Sequence, residues 1–331
     1  VKEKIKKIII KYYFGNKEFI SLFIAFLIDF IRYAKFSLIG NPKFTKEYSH
    51  ARMMLLSHSL EKGLSFTPFR KEFGKKNVEN LIIEVNSFLD YYPSDEISTL
   101  TIGVLNSYYN IALPNKNNEI GTKIKNLLTK HSKSTDNFVG GIKEISLDKL
   151  NFTNSFDELY NVAFLRSSIR NFSNTEISIN EISNAVKYAQ TAPSVCNRQT
   201  SRVHIFDGKI INDILDNQLG NQGWADKANK LIVITSDLNY FGGVYERNQA
   251  FIDGGLFAMQ FVMGLHCQKI ATCCKMYVRT PKIDKNFYKV TKICEKEVPI
   301  MLILAGHYPD AIIKAPYSYR LPINKILYYN E

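Results

Sequence analysis

Apolar residues in the first part of the chain recur at helical spacing. Val78, Leu81, Ile82, Val85, Phe88 and Leu89 fall on one stripe, the pattern of a helix with a single buried face. Pro93 ends that helix, and Ser94 or Asp95 can cap a second one carrying Ile97, Leu100, Val104 and Leu105. After the turn cluster Leu113-Pro-Asn-Lys-Asn-Asn, a third begins near Glu119 and runs through Ile124, Leu127 and Leu128. The most apolar run, FISLFIAFLIDFI from Phe19 to Ile31, is interrupted by Ser21 and Asp29. A spanning helix needs roughly 20 apolar residues, so this run predicts a buried or interfacial helix, with peripheral membrane attachment as the alternative.

From Asp157 onward the pattern changes to helices alternating with short β-rich runs. RVHIF (202–206), LIVIT (231–235) and PIMLILA (299–305) read as strands, the last two buried on both faces. Helices are expected at 179–191 and 248–267. The second has almost no charge after Asp253 and is expected at a dimer core. The polar, glycine-ended stretch KSTDNFVGG (133–141) separates a helical N-terminal region, 1–150, from an α+β region, 151–331, built on a central sheet flanked by helices.

The length of 331 residues suits two such regions. With 45% hydrophobic and 22% charged residues the chain is neither disordered nor fibrous. The formal charge is +12, and residues 1–50 hold ten Lys/Arg against four Asp/Glu, a net +6. A basic N-terminal arm fits a membrane surface or an acidic partner. No zinc-finger spacing, RNP pattern or basic zipper accompanies it, so no nucleic-acid partner is expected. The five cysteines are odd in number and form no CxxC pair, which excludes a disulfide framework or zinc ribbon and predicts a reducing cytoplasm.

No P-loop, GxGxxG, HExxH or GxSxG motif is present, so the common nucleotide, metallohydrolase and serine-hydrolase chemistries lose their usual support. Three short segments remain. In Arg166-Ser-Ser-Ile-Arg170-Asn-Phe, two guanidiniums and two hydroxyls within five residues make either a phosphate grip or an exposed basic turn. Ala192-Pro-Ser-Val-Cys-Asn-Arg-Gln199 is either a loop that approaches a flat polar ring or a plain helix-to-strand turn. Pro316-Tyr-Ser-Tyr-Arg-Leu-Pro322 adds Arg320 near the end. Cys273-Cys274 reads as small apolar filler, His204 and His266 as satisfied core histidines, and Asp253-Gly-Gly255 as close helix packing.

Taken in order and spacing, RSSIRNF, APSVCNRQ, LIVIT, PIMLILAGHYP and YRLP resemble the FMN-dependent nitroreductase family, over about half the chain. His58-Ser-Leu-Glu-Lys-Gly63 and Arg70…Phe73-Gly74 resemble the extension of nitroreductase-like proteins associated with polysaccharide biosynthesis. The resemblance implies a nitroreductase-like central mixed sheet and a homodimer. Arg166, Ser167, Ser168 and Arg170, joined by Arg320, would hold the FMN phosphate and ribityl chain. Pro193, Ser194, Val195 and Asn197 would come from the second subunit, Asn221 would supply an amide near the ring, and Thr272–Met276, with Cys273 and Cys274, would run along the ring edge. NAD(P)H would be the electron donor and a small molecule the acceptor. A flavin-binding scaffold, or a specialised flavin enzyme in polysaccharide biosynthesis, is the alternative. Two departures bear on the pocket: Ile270–Met276 lacks the glycines the family often has there, and Val195 replaces a position that is often hydroxylic.

Overall fold

A computed structural model describes residues 17–40, 42, 45–66, 73–131, 139–143, 145–146, 155–216, 218–221, 225–310 and 312–330. Arg70, part of the second resemblance, lies outside them. Among the described residues, the N-terminal half holds the helices α1 (Lys17–Phe36), α2 (Lys46–Ser65), α3 (Lys75–Tyr91), α4 (Glu96–Ile111) and α5 (Glu119–His131). The predicted stripe on α3 buries Val78, Leu81, Val85 and Phe88 against Met53 and Leu60 of α2, Leu105 and Tyr108 of α4 and Ile124 of α5. The local signals are strong. Thr45 caps α2 by accepting from the Tyr48 amide, and Asp95 with Ser98 forms a capping box on α4. Gly63 is required by packing, because a Cβ there would lie 1.9 Å from the Phe73 ring.

In the second half, α6 (Ser155–Leu165) and α7 (Ile179–Ala189) precede β1 (Ser201–Phe206), α8 (Ile210–Leu215), β2 (Lys230–Asp237), α9 (Gln249–Cys267), β3 (Ile270–Lys275), α10 (Pro281–Thr291) and β4 (Glu297–His307). The four strands form one sheet in the order β1-β2-β4-β3, each neighbouring pair antiparallel. An isolated bridge between Ser168 and Thr272 supplies the single parallel pairing among the described residues. The fold is therefore α+β with a sheet flanked by helices and a helical N-terminal region. Every residue of β2 is buried. Alternation along it sends Leu231 and Val233 to the α8–α10 face and Ile232 and Ile234 to the α7–α9 face. Gly254 and Gly264 are contact points of α9: an added Cβ would lie 2.6 Å from Ile300 Cγ1 and 2.9 Å from Ala185 Cα, respectively.

The halves are joined by buried contacts and ion pairs. Ala51 and Met54 of α2 pack with Tyr240. Arg32 pairs with Asp284 at 2.7 Å, Arg279 with Asp29 at 3.0 Å, and Lys296 with Glu47 at 3.2 Å. Among the described residues, apolar surface stays uncovered on several elements. On α1, Leu22, Phe23, Phe26 and Phe30 are exposed; α6 has no buried residue; and α9 exposes Ile252, Leu256 and Met259 along one face. Apart from α9 and the turn before it (Val244–Cys267), half buried in the core, no described helix is long and apolar enough to cross a membrane.

Candidate functional site

The segment after α6 lies beside strand β3. Its Ile169 amide donates to Thr272 O at 2.9 Å and its Ser173 amide to His307 O at 2.9 Å. Ile169 and Phe172 are buried, which fixes the segment and leaves Arg170 on the solvent side. Burial pushes the Cys273 thiol above its ordinary value, against the opposing charges of Arg170, Lys275 and Arg166. Cys274 is exposed on the other side of the strand, yet surrounding protein pushes its thiol up to about 11. Both thiols are therefore protonated at neutral pH and offer no thiolate nucleophile.

Lys275 extends this corner. Its Nζ donates to Leu219 O at 2.7 Å and draws the loop after α8 toward β3. That loop is pinned from the other side by Gln218, whose Oε1 accepts from the Val278 amide at 2.6 Å. Asn221 donates through Nδ2 to Leu215 O and Gln218 O at 2.5 and 2.7 Å. Its Oδ1 is buried with no hydrogen-bond partner among the described residues. A buried acceptor left unsatisfied costs free energy, roughly 1–3 kcal/mol, so it marks a place where a donor would be welcome.

The loop from Ala192 to Gln199 sits elsewhere. Cys196, Asn197 and Gln199 all hold φ near +50°, a left-handed conformation uncommon outside glycine. Asp253, near the start of α9 and 3% exposed, holds the loop by accepting from the Val195 amide at 3.0 Å. Arg198 is buried below it and bonds the Val195 and Tyr240 carbonyls and the Glu246 carboxylate. Pro193 and Ser194 line a cavity of about 350 Å³ with Gln190, Gln199, Arg202 and Phe257.

Arg166, Ser168, Arg170, Asn221, Cys273 and Cys274 thus share one corner, with Ser167 adjacent in the chain. Pro193, Ser194, Val195 and Asn197 occupy another. Arg320 lies on an exposed tail and donates to Ser318 O at 2.8 Å. The two corners flank opposite edge strands. Four strands span about 14 Å, and six residues of register along β2 add about 20 Å, so one copy cannot bring both groups onto one ring. Sequence reading did not single out Asp253 as the loop's anchor or Lys275 as the third cation. Nothing in the chain pattern flags them, since an isolated acid in an apolar helix reads equally well as packing.

Residues 164–219 match the model of the Nitroreductase family. That segment contains both the Arg166–Arg170 run and the Pro193–Asn197 loop. No curated protein matches the chain. Among solved structures, the chain is similar to a nitroreductase family protein from Streptococcus pneumoniae TIGR4 (18% identity, TM-score 0.45, covering 52% of this chain and 100% of that one). It is also similar to an FMN-dependent nitroreductase from Clostridium difficile R20291 (19%, 0.44, 52% and 99%). A third is a nitroreductase with bound FMN from Desulfitobacterium hafniense DCB-2 (20%, 0.39, 53% and 98%).

Proposed function

We propose that the chain is an FMN-dependent oxidoreductase of the nitroreductase type, taking electrons from NAD(P)H and passing them to a small-molecule acceptor. The observation that carries this reading is the cationic corner beside β3. Arg166, Arg170 and Lys275 all lie close enough to Cys273 for their charges to act on its thiol, and the Ser168–Thr272 bridge fixes the arginine segment to β3. Such a cluster suits a phosphate, and the hydroxyls of Ser167 and Ser168 add donors. The partnerless Asn221 Oδ1 nearby suits the one ring N–H donor of an oxidised flavin. The residues present therefore fit FMN.

Bound there, FMN would supply the two-electron chemistry. The chain's own work is to bind and orient it: arginines on the phosphate, the β3 backbone along the ring edge, and Asn221 on a polar edge. The active unit in this reading is a homodimer. The second corner, held rigid by Asp253 and Arg198, meets the first only if it comes from another copy. The exposed stripe of α9, the uncovered α6 and the exposed tail bearing Arg320 are large apolar surfaces that a second copy would bury. The reading includes a peripheral membrane contact through α1 and a reducing cytoplasm, where all five free cysteines remain thiols.

Replacing Arg166 or Arg170 with Ala tests the assignment. Each charge-assisted phosphate bond contributes roughly 1.5–3 kcal/mol, so FMN affinity should fall about tenfold or more in a folded protein. Unchanged affinity in both variants would put the phosphate elsewhere.

A further inference from the structure

His58-Ser-Leu-Glu-Lys-Gly63 is only partly explained by the fold. Gly63 accommodates the Phe73 ring, but His58, Ser59 and Lys62 open onto a separate cavity. It measures about 370 Å³, within the range of small-molecule sites. Successive turns of α2 form one wall with Arg52, Leu55, Ser59 and Lys62; Asn77 and Asn80 of α3 form the other; and Cys196 of the strained loop closes one end.

The polar groups here are poorly matched within the chain. Arg52 and Asn80 make no side-chain hydrogen bond among the described residues. Glu84 is close enough for Arg52 to act on it, but it is already bonded to Ser49, and burial holds its carboxyl above the usual range. Glu61 stands 3.9 Å from His58 Nδ1 and accepts from the Gly141 amide; burial raises its carboxyl too. Burial first, and then the nearby charges of Lys62 and Arg198, hold His58 below its ordinary value. Asn77 donates to Ser59 Oγ at 2.9 Å, steadying the floor between the walls.

We propose that this cavity binds a soluble small molecule through a phosphate or diphosphate group, with Arg52 and Lys62 as its cations and Asn80 as a neutral donor. Ten residues of helix separate the two cations, about 15 Å along the axis, so long side chains reach inward from both ends. That favours a diphosphate over a single phosphate. The site stands independently of the flavin reading. Its role as the place where a substrate's charged end is held rests on that reading, because Cys196 belongs to the loop expected to face the ring.

Calorimetric titration of the full chain with inorganic pyrophosphate and with inorganic phosphate tests the site. Saturable binding at one site per chain is expected, tighter for pyrophosphate. R52Q/K62Q and N80D should each weaken it about tenfold or more with unchanged circular dichroism. K285Q/K289Q removes the same charge from α10 and should bind like the parent chain. Loss of binding in that control, no saturable binding at millimolar pyrophosphate, or parent-like binding in R52Q/K62Q and N80D would overturn the proposal. Binding is read without any electron donor, so a colourless protein that binds pyrophosphate would sink the flavin reading and leave this site standing. Competition with NADPH separates donor from acceptor: displacement assigns the diphosphate to the nicotinamide cofactor, and coexistence assigns it to the other substrate.

Discussion

Two carboxylates, the buried Asp253 and the partly buried Asp95, organise backbone in the two halves. Asp253 holds the Val195 amide and receives the Gln249 amide group at 2.7 Å. Asp95 accepts from the Ser98 amide at 3.1 Å and pairs with His50 and Lys46 at 2.8 and 3.0 Å. Burial opposes its charge, but the bonds from Ser98, Lys46 and His50 prevail and hold its carboxyl below the usual range. A depressed folded-state value means stability that is fully present above the unfolded value, near pH 3.9, and lost as pH falls through the folded one. Asp95→Ala should therefore cost about 1–2 kcal/mol at neutral pH, as loss of a helix cap does, and the gap to the parent should narrow below about pH 4. Urea unfolding across pH checks this; a gap independent of pH would contradict it. The sequence narrowed the cap to Ser94 or Asp95, because a cap needs only the right residue before an apolar stripe, and the structure selects Asp95. The roles of Asp253 and Lys275 were not legible in the sequence, since each acts on a segment that only the tertiary fold brings near.

At the scale of elements, pieces with one clear pattern were readable and those with mixed burial were not. β2 and β4 stand out as continuous apolar runs because both their faces are covered. β3 is only six residues, IATCCK, buried through its first four, so it shows no alternation. Helix α2 buries residues on several faces, including Ser49, His50 and Ser57, and so lacks a clean stripe. The run at 19–31 did form a helix, but much of its apolar surface faces outward. Anionic vesicles should therefore float the full chain at low salt, and added salt should release it by screening the basic arm. A chain starting after Gly40 should stay unbound. If neither floats, α1 is a packing or dimerisation helix instead.

For the whole molecule, the resemblance already divides the candidate residues between two subunits, but the distance that separates the two groups comes only from the fold. The sheet order sets the two groups at opposite edges, and that separation is what makes the proposed flavin site require a second copy. Equilibrium sedimentation should give twice the 38.0 kDa chain mass. Leu256→Asp with Met259→Asp, placing two charges on the exposed α9 stripe, should yield monomers that lose flavin. A flavin-loaded monomer would contradict the shared site. The central claim is the flavin itself, and the visible spectrum of the purified protein, with mass analysis of what denaturation releases, reads it most directly. A yellow protein releasing FMN and no FAD is the predicted result. A protein that is colourless and remains so after incubation with FMN would contradict it.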